Sequence, residues 1–239
     1  MDYLVHHAKG KLDPQVQFVY TAHVATNART PAPRLTARGA ATRDRIVAAA
    51  ASLVYERGVA GTSLDDVMAA TGTSKSQLYH YFADKDALLY EVIKAQLGRI
   101  FAAQEAAGLH KVSSWEGLQR WCDHFVTATR ATQGAGGCPL GSLVGQLADQ
   151  PEPARRVLAQ CFAEWQTYLS DGFEAMRNNG ELAAQADPAE LALTLMSALQ
   201  GGLLMAQATR SARPLELALN MALQHMAANR QRPKQARRR

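Results

Sequence analysis

At 239 residues, 47% hydrophobic and 20% charged, the chain is long enough for one or two domains around a sizeable core, and its composition excludes disorder through the middle. The formal charge of +5 is unevenly spread: residues 1–45 hold seven Lys/Arg against three Asp/Glu, and residues 230–239 hold six basic groups and no acid. Residues 46–229 keep thirteen basic against eighteen acidic groups, so an acidic body lies between two basic ends and the net charge alone does not mark a nucleic-acid binder.

Residues 1–38 show no sustained period, and Asn27-Ala-Arg-Thr-Pro-Ala-Pro-Arg34 is rich in breakers and positive charge, which reads as a flexible basic arm. Asp13, Pro14, Gln15 and Gln17 interrupt any signal-like apolar run, and no later stretch is continuously apolar over a membrane's width. From Thr42 the pattern turns helical, with Ile46, Val47, Ala50, Leu53 and Val54 on one face and Gly58 as a stop. A short helix follows Thr62-Ser63, where either hydroxyl can cap and Asp65 or Asp66 supplies the third-position acid. Gly72 permits a left-handed turn, Thr73 or Ser74 caps a third helix carrying Leu78 and Tyr79, and Asp84 caps a fourth through Leu97.

The rest also reads as helices. Ser113 with Glu116 forms a capping box for a segment through Trp121 and Phe125, ended by glycines at 134–137. A short helix covers Leu140 to Asp149, and Pro153 opens a long one that ends at Asn178-Asn179-Gly180. Asp187-Pro188-Ala189-Glu190 starts a helix apolar on almost every face, and Pro214 starts the last. The expected class is therefore all-α, with a helix-turn-helix domain at 39–84, a helical ligand-binding and dimerisation domain at 85–229, and a basic tail at 230–239.

Two short helices joined by a glycine turn suit duplex DNA, because the first can rest on the backbone while the second enters the major groove. Ser74, Lys75, Ser76 and Gln77 supply small and polar groups at the front of the second helix, and a Gln can pair bidentately with adenine. Leu78 and Phe82 should hold this helix to the core, while Tyr79, His80 and Lys85 are placed for phosphates. Residues 40–95 carry six basic and seven acidic groups, so DNA affinity should rest on local cations, chiefly Arg43, Arg45, Lys75 and Lys85.

The run from Thr62 to Leu89, with Leu78-Tyr-His-Tyr-Phe82, Lys85 and Asp86-Ala-Leu-Leu89 in register, resembles the signature of TetR/AcrR-family regulators over about residues 42–95. Met68 and Thr71 stand where that family usually has alanine, and Thr73 where it often has valine. The resemblance adds Thr62 to the DNA-binding set. It implies a cytoplasmic homodimer on palindromic double-stranded operator DNA, most often a repressor, whose C-terminal domain takes a small-molecule effector and whose last two helices pair with their copies. Leu195, Leu199, Gly202, Leu219 and Leu223 are the candidate interface residues, and close approach of another helix would explain Gly201-Gly202 in a helix interior.

Trp121, Phe125, Cys138, Trp165, Tyr168, Met176 and Met205 are candidate pocket linings, and the lack of a buried charge cluster points to a mainly apolar ligand. Gly136-Gly-Cys-Pro-Leu-Gly-Ser-Leu143 resembles a segment of a subset of the family. At a helix N-terminus Cys138 would have a lowered pKa, so redox or electrophile sensing is one reading and a small residue in a turn the other. An odd cysteine count and unpaired spacing suit a reducing compartment. Cys122 and His124 lie two apart, on different faces of a helix, so no metal is expected, and no cofactor is called for. Two rival classes are an enzyme with Cys138 as nucleophile, for which no histidine base can be paired, and an architectural protein coating DNA through its basic ends.

Overall fold

The computed structural model describes residues 35–109, 112–147 and 152–231. The chain divides after Ala37, and nearly all of the N-terminal unit, like most of the basic tail, lies outside the described residues. Everything below concerns the unit from Arg38 onward. Among the described residues its regular elements are helices: α1 (Ala37–Arg57), α2 (Leu64–Thr71), α3 (Lys75–Tyr81), α4 (Lys85–Ala106), α5 (Trp115–Ala131), α6 (Ser142–Leu147), α7 (Glu152–Asn178), α8 (Pro188–Thr209) and α9 (Arg213–Ala227).

Local chemistry accounts for the boundaries. Ser63 caps α2 by accepting from Asp66 N–H, and Asp66 accepts in return from Ser63 N–H at 2.8 Å. Ser74 and Gln77 form a second capping box on α3, while Asp84 accepts from Ala87 N–H at 2.7 Å to start α4. Gly72 takes the left-handed conformation (φ 63°) that the tight turn needs. Across that turn Thr71 and Thr73 hydrogen-bond through their hydroxyls at 2.7 Å, which gives these two polar departures from the family pattern a structural use. Asp187 accepts from Ala189 and Glu190 N–H at the head of α8, as the Asp-Pro-Ala-Glu run predicts.

Three helix starts differ from the sequence reading, one of them that of α6, which opens at Ser142 and not at Leu140. α1 begins at Ala37, five residues before Thr42, because Ala37, Arg38, Ala40 and Ala41 have high helix propensity that outweighs Gly39 between them; Thr42 sits inside the helix and donates to Arg38 O. Ser114, not Ser113, caps α5, and Glu116 pairs with Arg120 one turn on instead of closing a capping box.

Two cores result, and α4 belongs to both. Leu88 and Val92 of α4 join Ile46, Val47, Ala50, Val67, Leu78 and Phe82 in a head core that fixes α2 and α3. Leu89, Ile93 and Leu97, on its other side, join α5–α9 in the body core around Trp121, Trp165, Leu169, Phe173 and Met176. α8 lies against α7 and α9. It is a helix long and apolar enough to span a membrane, yet Leu191, Leu195, Leu199 and Leu203 are buried within this chain.

Beyond α4, hydrogen bonds at Val59 and Tyr55 also tie the head to the body. Gln146 Oε1 of α6 accepts from Val59 N–H at 2.7 Å, and Tyr55 Oη of α1 donates to Gly136 O at 3.3 Å. The turn that holds Gly136 is pinned at its start by Gly134, where a Cβ would come within 2.3 Å of Ala206 O, so only glycine fits between α5 and α8 there.

Candidate nucleic-acid interface and body cavity

Helix α3 is held by one face and presents the other. Leu78 and Phe82 are buried, whereas Lys75, Ser76, Gln77, Tyr79 and His80 are exposed in a continuous patch behind the exposed N-cap Ser74. Lys75 Nζ stands 6.0 Å from the centroid of the Tyr79 ring, so a cation and a phenol are pre-paired on one edge of the helix. The Gln77 side chain is partly committed, because its Oε1 accepts from Ser74 N–H at 3.0 Å. Bidentate pairing with adenine therefore requires that oxygen to be shared or the cap to open, and Nε2 is the group directly available to a base edge.

Three residues expected at DNA have other work in this structure. Arg43 makes a 2.6 Å ion pair with Glu91 and lies over the Phe82 ring at 5.6 Å, bracing α1 against α4. Lys85 is half-buried and donates to Val59 O at 2.7 Å, closing the loop after α1. Thr62 is buried and donates to Gly58 O at 2.9 Å, so it shapes that loop instead of facing a groove. All three follow from one fact unavailable in the sequence: a cation or hydroxyl beside a core edge finds a carbonyl or carboxylate within its own fold. Arg45 is exposed on α1.

The electrostatics of this region are modest. The hydrogen bond from Ser63 holds the Asp66 carboxyl below its ordinary range, against a small opposing effect of burial. At Glu91 partial burial pushes the pKa up, but Arg43 and Lys94 outweigh it and the net shift is downward.

In the body a cavity of about 300 Å³ opens between α5, α7 and the glycine turn. Phe125, Cys138 and Trp165 line it, together with Ile100, His124 and Leu203, and sequence reasoning missed the last three. The signal available for its position was the glycine run, since Gly134, Gly136 and Gly137 form its rim. The other expected linings lie elsewhere. Trp121 is core and donates to Gln104 Oε1 at 2.6 Å; Met176 is fully buried; Met205 is 52% exposed on the outer face of α8. Tyr168 faces a separate cleft with Phe101 and Glu164, and its hydroxyl donates to Leu109 O. Ile100 and Pro139 form a wall shared with a second cavity, of about 420 Å³, bounded by Tyr55 and Glu56 of α1.

Among the described residues Trp165 Nε1 is the buried side-chain nitrogen or oxygen without a hydrogen-bond partner. Leaving such a donor unmatched costs about 1–3 kcal/mol. The Cys138 thiol is pushed up by burial, which outweighs hydrogen bonds from Gly141, Gln200 and Leu140, so the expected lowering at a helix N-terminus is not found. Its side chain is turned into the core, and α6 begins only at Ser142. Burial likewise raises Cys122 to about 12 and Cys161 to about 11.

The candidate interface residues also need correction. Leu195, Leu199, Gly202 and Leu219 are buried inside the protomer, and Leu223 is half-buried against its core. A Cβ on Gly202 would meet Leu215 Cα at 2.8 Å, so the close approach that its neighbouring glycines suggested is made by α9 of the same chain. Gly201 instead faces open space. The outward apolar surface consists of Leu193, Leu204 and Met205 on α8 with Leu217 and Met221 on α9, each at least 44% exposed. A helix apolar all round gives no period from which to tell its inner from its outer face.

Comparison with known proteins agrees with this architecture. Residues 46–92 match the family described as bacterial regulatory proteins, tetR family, and residues 115–222 match the tetracyclin repressor-like C-terminal domain. A helix-turn-helix transcriptional regulator from Lactococcus lactis is 30% identical over 185 residues, covering 73% of this chain and 88% of that one. The repressor NemR of Escherichia coli K12 is 27% identical over 191 residues, covering 74% and 90%. The crystal structure of a TetR regulator from Chloroflexus aurantiacus superposes with a TM-score of 0.67 at 25% identity, covering 82% of this chain and 98% of that one. The chain belongs to the TetR family of helix-turn-helix transcriptional regulators.

Proposed function

We propose that this chain is a homodimeric, cytoplasmic repressor that holds a palindromic operator with α3 and is released by a small, mainly apolar effector bound in the body cavity. The observation that carries the reading is the division of α3, with Leu78 and Phe82 sunk in the head core and Lys75, Ser76, Gln77, Tyr79 and His80 displayed together. Such a helix reads base edges with its front residues and is positioned by phosphate contacts from its cations and hydroxyls. Lys75, Tyr79, His80 and Arg45 are the phosphate donors in this reading; Ser74, Ser76 and Gln77 face bases. The repressor sense is supported by NemR, whose name states it.

Dimerisation is assigned to the outward faces of α8 and α9, where five large apolar side chains stand exposed on one pair of helices. The Gly-Cys-Pro-Leu-Gly segment is read as the mark of a subset of the family whose effector cavity is rimmed by this turn. An effector acts only through different affinity for the DNA-bound and released states. The coupling proposed here runs through the turn at 134–139, which borders the cavity and touches α1 through Tyr55.

Selection from a pool of random duplexes with the full-length protein tests the reading. An inverted repeat with half-sites about one helical turn apart is expected to be enriched. Retention of DNA without sequence preference would contradict it and favour a coating role for the basic ends.

A further inference from the structure

The three indoles of this chain are not equivalent. Trp121 donates to Gln104 Oε1 at 2.6 Å and Trp115 donates to Glu181 O at 3.3 Å. Trp165, at 1% exposure and joined through Phe125 to Trp121 in one aromatic cluster, has no acceptor. The open space bordering it is the cavity of about 300 Å³.

The other groups in that wall define what the space accepts. No Asp, Glu, Lys or Arg lines it and its imidazole, His124, is half-exposed, so a charge placed beside the buried Trp165 finds no buried counter-charge. Thr132 already spends its hydroxyl on Ala128 O and Thr129 O, and Cys138 Sγ accepts from Gly141 N–H. Phe125 and Trp165, with ring centroids 6.3 Å apart, offer flat apolar surface. What remains is an aromatic-sided chamber in whose wall, among the described residues, Trp165 Nε1 is the buried donor without a partner, while the half-exposed His124 stands nearer the solvent.

We propose that the effector is a neutral, planar molecule carrying a carbonyl-type oxygen, and that Trp165 Nε1–H donates to that oxygen while the rings lie against Phe125. The assignment rests on the reading of this cavity as the effector site and adds the chemistry of selection. A hydrocarbon of the same shape leaves the donor unmatched, whereas a carbonyl satisfies it, and buried polar groups discriminate between ligands in this asymmetric way.

The matched pair 9-fluorenone and fluorene tests it, differing by the carbonyl alone. Calorimetric titration of the full-length protein should show fluorenone binding about tenfold more tightly than fluorene. In protein labelled with ¹⁵N-tryptophan, fluorenone should shift one indole N–H resonance, the one missing from Trp165→Phe. That variant should bind both compounds equally. Equal affinities in the wild type, failure of both to bind, or a shift confined to the other two indoles would each overturn the proposal. The wild-type ratio decides the matter even if Trp165→Phe does not fold. Affinity for the selected duplex, measured in parallel, separates the two readings. Sequence-specific binding without carbonyl preference removes only this inference. Carbonyl preference without any loss of duplex on adding fluorenone keeps the site and removes the release role.

Discussion

Lys75 and Tyr79 are the residues on which DNA affinity should depend most, because they pair a cation and a hydroxyl on the free edge of α3. Neutralising one phosphate contributes about 0.9 to the slope of log affinity against log salt. Lys75→Ala should therefore lower the slope by about 1.8 for a dimer carrying two such contacts, as read by fluorescence anisotropy over a salt series; an unchanged slope would remove Lys75 from the interface. Arg43 belongs to a different category. Its ion pair with Glu91 is about 30% exposed on both sides and is worth about 1 kcal/mol at most. The Glu91 carboxyl is held below its ordinary value of 4.5, so this stabilisation is full above that pH and fades as pH falls through the lower folded value. Glu91→Gln should accordingly destabilise the fold near neutral pH and converge with wild type as the pH falls through the lowered folded value, measured by urea midpoints across pH. At this scale the sequence was a good guide to residue type and a poor one to partner. Ser74 to Gln77 read correctly as an exposed polar front, but nothing in spacing revealed that Arg43, Lys85 and Thr62 find acceptors within the fold.

Among elements, α4 and the turn at 134–139 connect head and body. α4 does so rigidly, with Leu88 and Val92 in one core and Leu89, Ile93 and Leu97 in the other. The turn does so through a single hydrogen bond from Tyr55, which is easier to exchange. Gln146 of α6 adds a shorter one, accepting from Val59 N–H. Gln146→Ala should leave the helix content unchanged while the Val59 amide loses at least about tenfold of its protection from hydrogen exchange, reporting a looser joint. Retained protection would show that the strap carries no load. The helices themselves were legible because caps and breakers bracket them: Asp84, Asp187 and Gly72 act as the sequence predicts. The start of α1 was not, since alanines carry a helix further than its apolar face extends. The cavity was only half legible. Phe125, Cys138 and Trp165 come together in it, whereas Trp121 and Met176 are absorbed into packing, a distinction that depends on which helix lies opposite.

On the scale of the whole molecule, the family fold places a DNA-reading head on a body whose outer face is unusually apolar for a free surface. Leu204 and Met221 are the most exposed of that set, at 67% and 68%. In the proposed dimer they sit at its centre, so Leu204→Glu with Met221→Glu should give a folded monomer in sedimentation velocity. Operator affinity should fall with it, because two heads bound as one unit gain the effective concentration that separate heads lack. The inner residues Leu195, Leu199 and Leu219 would give no such answer, since changing them unfolds the protomer.

The central claim is that the exposed face of α3 reads a specific operator. The most direct measurement compares the affinity of wild type and of Lys75→Ala/Tyr79→Ala for the selected duplex and for a scrambled duplex of equal length, with the dimer monitored throughout. The account predicts that the wild type prefers the selected duplex by at least about 1,000-fold and that the double variant, still dimeric, loses most of that affinity. A dimeric double variant that held the selected duplex as tightly as wild type would contradict it.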